Sequence, residues 1–277
     1  MVNSSISELA EQTVPAKVRY INAEWKAKVD SPRIGSRESR RANTSFQDVR
    51  VHDARPRLEA GELTLDKNGF TLTQHNSAVA NFRDDNELEL VYHNEMEALI
   101  QRVTGASHAF ARSHLIRTEK PIDFNDGYAR FVHCDYNMKR LQEMSEAVLE
   151  THGVEPKKDW VYVWYNTWQP FDHPVENNPL TFIDWESLPL DDVIDYYYTG
   201  RNNDSLVAAP VHSETHKWCY FPNMTTNEVI VLKQMDGRKG DRSIYCPHTS
   251  FDFLENTDDT LPRRSVETRL LAVFEAN

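Results

Sequence analysis

Leu88, Val91, Tyr92, Met96, Leu99, Ile100 and Val103 recur at the three-and-four spacing that lines one face of a helix, and Gly105 follows where a C-cap is needed. The spacing predicts an amphipathic helix there. A second follows in "NMKRLQEMSEAVLETHG", with Met138, Leu141, Met144 and Val148 on one side and Gly153 at its end. "SHAFARSHLIR" between them reads as a strand. Upstream, "DVRVHDARPRL" and "LDKNGFTLTQHNS" read as extended segments, with Asn68 and Gly69 supplying a turn. From Trp160 onward the period falls to two: "WVYVWYNTWQP", "LTFIDW", "HKWCYFP", "EVIVLKQ", "RSIYCP" and "ETRLLAVFE" are short apolar or alternating runs cut by Pro and Asn. Many β-branched and aromatic runs of that length predict an antiparallel sandwich or barrel.

Composition narrows the partners. The 277 residues carry a net charge of -12, the wrong sign for a phosphate backbone, so nucleic acid is not an expected partner. The basic run Arg37 to Arg41 reads as a solvated loop. No apolar run reaches transmembrane length, and the polar first fourteen residues lack the apolar centre of a secretory signal, so no membrane association is expected. Cys134, Cys219 and Cys246 are few and far apart, which suits free thiols in a reducing, cytoplasmic setting.

Candidate chemistry begins at "FVHCDYN", residues 131 to 137. In an extended chain His133 and Asp135 project the same way and Cys134 turns from them, so one metal ion can take both. A mononuclear iron site of two histidines and one carboxylate needs one more histidine and leaves three positions open. His212 and His216 precede a strand, whereas His248 follows one and stands ahead of "LPRRSVETRLLAVFEAN". In a jelly-roll barrel the closing ligand ends the penultimate strand and the next strand carries an inward arginine. His248 has that position. Arg263, Ser265, Glu267 and Arg269 share parity and hence one face. A dicarboxylic 2-oxo acid chelating iron leaves its distal carboxylate inside the barrel, where Arg263 or Arg269 and the Ser265 hydroxyl would answer it. An ion pair with Glu267 is the competing role for Arg269. Asn166, Trp168 and Trp218 are candidate walls of a substrate pocket, with core packing the alternative for the tryptophans.

The chain resembles the fungal hydroxylase/desaturase group, also called AsaB-like or CmcJ-like, of non-haem Fe(II)/2-oxoglutarate-dependent oxygenases. The likeness is carried by "DAR" at 53–55, "LDKNGFTL" at 65–72, "TGA" at 104–106, "VHCDY" at 132–136, "NTWQP" at 166–170, "HKWCYFPNMTTNEVIVLKQMD" at 216–236 and "PRRSVETR" at 262–269. It implies a mainly β fold with flanking helices: a double-stranded β-helix, the cupin-like jelly-roll barrel. Residues 1–277 would form a single oxygenase domain, with a barrel core at about 106–276 and N-terminal strands and a helix packed outside. It also implies Fe(II) on His133, Asp135 and His248, with 2-oxoglutarate and O2 as cosubstrates and a small secondary metabolite as substrate; a homodimer is a further expectation. Two other classes compete: a zinc hydrolase on the same ligands, disfavoured by the paired arginines, and a non-catalytic binding barrel, disfavoured by the intact triad.

Overall fold

The computed structural model describes residues 12–120, 128, 131–200, 204–253 and 260–275. In the N-terminal part the strands are β1 (Thr13–Ile21), β2 (Arg33–Ile34), β3 (Thr44–Asp53), β4 (Phe70–Gln74) and β5 (His108–Arg117). They are followed by β6 (Trp160–Pro170), β7 (Leu180–Ile183), β8 (Val193–Tyr198) and β9 (Ser205–Pro210). The last four are β10 (Trp218–Tyr220), β11 (Glu228–Asp236), β12 (His248–Ser250) and β13 (Ser265–Glu275). The helices are α1 (Arg37–Asn43), α2 (Arg55–Glu59), α3 (Leu65–Asn68), α4 (Asp85–Glu87), α5 (His93–Thr104) and α6 (Leu141–Thr151).

Two five-stranded sheets, in the orders β1-β3-β10-β7-β12 and β4-β11-β6-β13-β5, pack face to face as a jelly-roll barrel. Within these two sheets every neighbouring pair is antiparallel except β3 with β10, and a small β2-β8-β9 sheet, in which β2 runs parallel to β8, stands beside them. Between the two large sheets, Phe70, Leu72, Trp168, Ile230 and Leu232 meet Leu180, Phe182, Cys219 and Phe221. On the outer side of the second sheet, Leu88, Tyr92, Met96, Leu99 and Ile100 of the α5 region cover Val163, Tyr165, Val231, Val266 and Leu270. The predicted helical stripe therefore buries against a sheet, as its period demands. Gly105 caps α5 at φ 74°. α6 closes one end of the barrel, where Trp164 Nε1 donates to Ser145 Oγ at 2.9 Å over Met144, Val148 and Leu149.

Several local expectations are corrected. The Arg37 to Arg41 run is not a solvated loop but the capped helix α1: Ser36 accepts from the Ser39 N–H, Ser39 answers in return, and Arg40 is buried. Only the first half of "DVRVHDARPRL" is strand, since Pro56 sits in the first turn of α2. Leu65–Asn68 is one helical turn, ended by Gly69 at φ 86°. A Cβ there would meet the Tyr245 carbonyl at 3.0 Å, so glycine serves both the left-handed turn and the close approach. "RSIYCP" is irregular chain, and the strand begins after it at His248.

Candidate metal centre

His133 and His248 face each other across two backbone hydrogen bonds, His133 N to His248 O at 3.2 Å and His248 N to His133 O at 3.0 Å. The next residue, Cys134, bonds to Ala208 and turns its thiol into the core. Asp135 then returns to the side of His133, so alternation delivers three side chains to one point. Their ligand atoms lie within 4.8 Å of one another, and each histidine Nε2 is 3.7 Å from an Asp135 oxygen.

The tautomers are set by the backbone. His133 Nδ1 donates to the Phe131 carbonyl at 2.8 Å, and His248 Nδ1 donates to the Cys246 carbonyl at 3.0 Å. Both Nε2 lone pairs are thereby turned toward Asp135, the arrangement a metal-binding imidazole needs. Burial, and then the neighbouring His248, push the His133 pKa down to about 4, which keeps its ring neutral. Burial by itself would raise the Asp135 carboxyl. Arg269, followed by His248, His133 and Asn166, reverses this and holds it well below the usual carboxylate range. Arg269 Nη2 donates to Asp135 Oδ1 at 3.1 Å, Asn166 Nδ2 donates to Oδ2, and the Asp135 N–H donates to Gln234 Oε1 at 3.2 Å.

Gln234 is delivered by a register shift in β11 between Lys233 and Met235. Its Nε2 and the Asn166 Oδ1 are buried without hydrogen-bond partners. The centre is therefore a charged, oriented cluster with polar capacity left over.

Of the residues expected from sequence, His133, Asp135, His248, Asn166 and Arg269 come together. Arg269 is held on its other side by Glu267 at 3.0 Å. Arg263, Ser265 and Trp168 form an adjoining group. The Arg263 guanidinium lies 4.2 Å from the Tyr128 ring and 5.4 Å from that of Trp168, and donates to the Asn178 carbonyl at 2.7 Å. Ser265 is fully buried, with an Oγ that has no partner. Trp218 does not join them. It lies on the opposite face of its sheet, where its Nε1 donates to Tyr20 at 2.9 Å, and the cavity it borders, with His212 and His216, is a separate one. His216 stacks on Tyr20 and His212 meets the same ring edge-on, both away from the triad.

A cavity of about 390 Å³ opens beside His133 and Asp135. Its walls include Arg112, Arg117, Phe131, Tyr136, Tyr196 and Tyr198, none of which the sequence singled out. Alternation in "SHLIR" could have placed Arg117 on the same face as Ser113 and Leu115.

A family model described as an oxidoreductase/YMDC permease-like domain matches residues 14–274. Among curated proteins, the alpha-ketoglutarate-dependent dioxygenase phiK of a fungal species is 31% identical over 84% of this chain and 86% of its own. The chain belongs to the fungal hydroxylase/desaturase family of Fe(II)- and 2-oxoglutarate-dependent dioxygenases. The hydroxylase/desaturase efuI of Hormonema carpetanum is 29% identical to this dioxygenase, covering 95% of it and 96% of efuI. The solved structure of the iron and alpha-ketoglutarate-dependent endoperoxidase NvfI shares its fold, with a TM-score of 0.82 at 24% identity over 97% of this dioxygenase and 99% of NvfI. Among its described residues no helix is long and apolar enough to cross a membrane.

The donors suit the family's groups. Two imidazoles and one carboxylate are the set that Fe(II) oxygenases use. A buried hydroxyl without a partner beside a buried guanidinium is a place where a carboxylate would complete the hydrogen bonding.

Proposed function

We propose that His133 Nε2, Asp135 and His248 Nε2 hold the ferrous ion, and that Arg263 with Ser265 takes the distal carboxylate of 2-oxoglutarate. The observation that carries this reading is the pair of Nδ1–carbonyl hydrogen bonds, which aim both Nε2 atoms at one carboxylate. Of the two arginines expected to anchor the cosubstrate, Arg263 is favoured because Arg269 is engaged by Asp135 and Glu267. Arg269 instead fixes Asp135, together with Asn166.

Iron at this site would supply oxygen activation and hydrogen-atom abstraction from an unactivated carbon, chemistry no side chain performs. The chain binds and orients. Their carbonyl bonds hold His133 and His248 in the Nδ1–H tautomer, burial keeps His133 neutral, and Arg269 keeps Asp135 ionised. Aromatic walls of Phe131, Tyr136 and Tyr196 hold the substrate in the cavity and exclude water. The substrate is a small secondary metabolite, hydroxylated, desaturated or oxidatively rearranged. Residues 1–277 act as a single oxygenase domain in the cytoplasm, without nucleic-acid or membrane partners; three free, buried cysteines fit a reducing compartment.

Anaerobic titration with Fe(II) and 2-oxoglutarate tests the assignment through the weak visible charge-transfer band of the chelate. Arg263→Ala would leave a buried carboxylate unpaired at a cost of ~3 kcal/mol or more, raising the apparent 2-oxoglutarate constant about a hundredfold while iron binding holds. Arg269→Ala should weaken iron instead. Undiminished 2-oxoglutarate affinity in Arg263→Ala would move the anchor elsewhere.

A further inference from the structure

We infer that the hydroxyls of Tyr136 and Tyr196 are neutral donors in the wall of the cavity beside His133 and Asp135, and that they hold a carbonyl oxygen of the substrate, a ketone, ester or lactone on an apolar body. This inference rests on the oxygenase reading and names the substrate class of that site with two residues that set its specificity.

The two phenols reach the cavity from different parts of the chain. Tyr136 follows Asp135 directly, and Tyr196 stands on β8 of the small sheet. The Cys134 N–H donates to the Ala208 carbonyl of β9 at 2.7 Å, which ties that sheet to the segment carrying His133 and Asp135. Alternation then sorts β8. Tyr197 turns outward, 4.7 Å from the Arg33 guanidinium, while Tyr196 and Tyr198 turn to the cavity with Val207 and Ser205, their partners on β9. Tyr196 is 2 % exposed; its ring meets Phe131 at 5.8 Å, and Phe131 meets His133 at 5.5 Å. Burial first, and then the Asp135 carboxylate, push its pKa well above the ordinary tyrosine value, so the phenol lies within reach of a metal ligand's charge.

Tyr136 is 4 % exposed and held by its ring. The guanidinium groups of Arg269 and Arg112 lie 5.9 and 6.0 Å from it, and Trp164 meets it edge-on at 5.0 Å. Arg112 is the extra residue of a bulge in β5, between Ala111 opposite Leu270 and Ser113 opposite Arg269. These contacts use the ring and leave the oxygen. The Tyr136 hydroxyl is buried without a hydrogen-bond partner, and among the described residues the Tyr196 hydroxyl makes no hydrogen bond either. Tyr92, Tyr128 and Tyr20 differ: Tyr92 donates to Gln169 at 2.7 Å, Tyr128 to the Arg263 carbonyl at 2.9 Å, and Tyr20 bonds His216 at 3.0 Å.

A buried phenol normally finds a partner, so two unmet O–H groups in one cavity wall are a place for an acceptor that arrives with the substrate. A phenol stays protonated at neutral pH and brings no charge to answer an anion, which makes a carbonyl oxygen the fitting acceptor. Phe131, Met144 and Val207 add apolar surface for the body of the molecule.

The test uses full-length protein, loaded anaerobically with Fe(II) and 2-oxoglutarate so that the metal and cosubstrate positions are filled. The probes are 2-acetylnaphthalene and 2-isopropenylnaphthalene, which share a shape and differ in C=O against C=CH2, with 2-naphthoate as the anionic comparison. Binding is followed by quenching of tryptophan fluorescence. The ketone should bind about fivefold tighter than the alkene or better, the worth of one hydrogen bond, and no more weakly than naphthoate. In the Tyr136→Phe/Tyr196→Phe double variant, which keeps both rings, ketone and alkene should come within about twofold of each other, with alkene affinity and the iron-cosubstrate absorption unchanged. Equal affinities or no binding of either probe in the parent protein, a ketone preference that survives the double variant, naphthoate as the tightest probe, or loss of the cosubstrate band in the variant would each overturn the inference. A parent protein with no band under any condition would instead sink the oxygenase reading, while fluorescence would still judge the phenols.

Discussion

Adjacent residues of β11, Lys233 and Gln234, serve two buried charge clusters of opposite design. Lys233 is fully buried, and its Nζ donates to Asp66 at 2.7 Å and Asp236 at 2.8 Å. Arg238 donates to both of the same carboxylates, and Arg242 takes the second oxygen of Asp66 at 2.6 Å. Each carboxylate oxygen in that group has a cation on it. Gln234, one position on, holds the Asp135 backbone in a cluster that is oriented but not closed. There both Nε2 lone pairs are unspent, and the Asn166 and Gln234 amides keep buried atoms without partners. Burial of charge by itself does not mark a site; the closed cluster ties α3, β11 and the following loop together, as structural ion networks do. Unfilled, oriented capacity is what separates the second.

Exchanging the roles by mutation tests the contrast. The largest effect is expected from Asp135→Ala, which removes a ligand and should weaken Fe(II) by a hundredfold or more on the order-of-magnitude scale of such sites, with thermal stability nearly kept. Iron retained at parent affinity would erase the distinction. Lys233→Met should do the converse: leaving Asp236 buried with one cation fewer costs about 3 kcal/mol of unfolding free energy, read from urea midpoints, while iron binding is unchanged. Asn166→Ala should fall between, because it frees one Asp135 oxygen without removing a ligand. A loss of ~10-fold to ~100-fold in Fe(II) affinity is expected, measured by competition with a chelator.

The last effect is absent at neutral pH and concerns acid. His216, held between Tyr20 and Asp192, has its pKa pushed down to about 4, first by burial. Between pH 6.5 and 4 the unfolded chain therefore binds a proton at this ring that the folded chain refuses. Its contribution is intact above pH 6.5 and is lost as the pH falls toward 4, at up to about 1.4 kcal/mol per unit. His216→Gln should flatten that part of the stability profile; an unchanged slope would mean the ring titrates normally.

Much of this was legible in side-chain parity. Ser265, Glu267 and Arg269 share a face in the sequence, and in the barrel Glu267 stands opposite Trp168 and Arg269 opposite Asn166. Parity fails where the ladder slips. Arg112 and Gln234 both sit in bulges, so period-two reading assigns Arg112 to the wrong face and gives Gln234 no special place. Long-range pairing was hidden as well. β1 carries Pro15, which reads as a break but is tolerated because β1 is an edge strand of its sheet, where β3 is its neighbour among the described residues. Tyr20, from that unread strand, is what occupies His212, His216 and Trp218. Without it, position ahead of the final strand is all that sets His248 apart from the two spare histidines.

That rivalry among histidines gives the most direct measurement: iron bound per chain after anaerobic Fe(II) loading and gel filtration, in His248→Ala, His212→Ala and His216→Ala side by side. The account predicts that iron collapses in His248→Ala alone and stays near one per chain in the other two. Iron retained in His248→Ala and lost in His212→Ala or His216→Ala would contradict it.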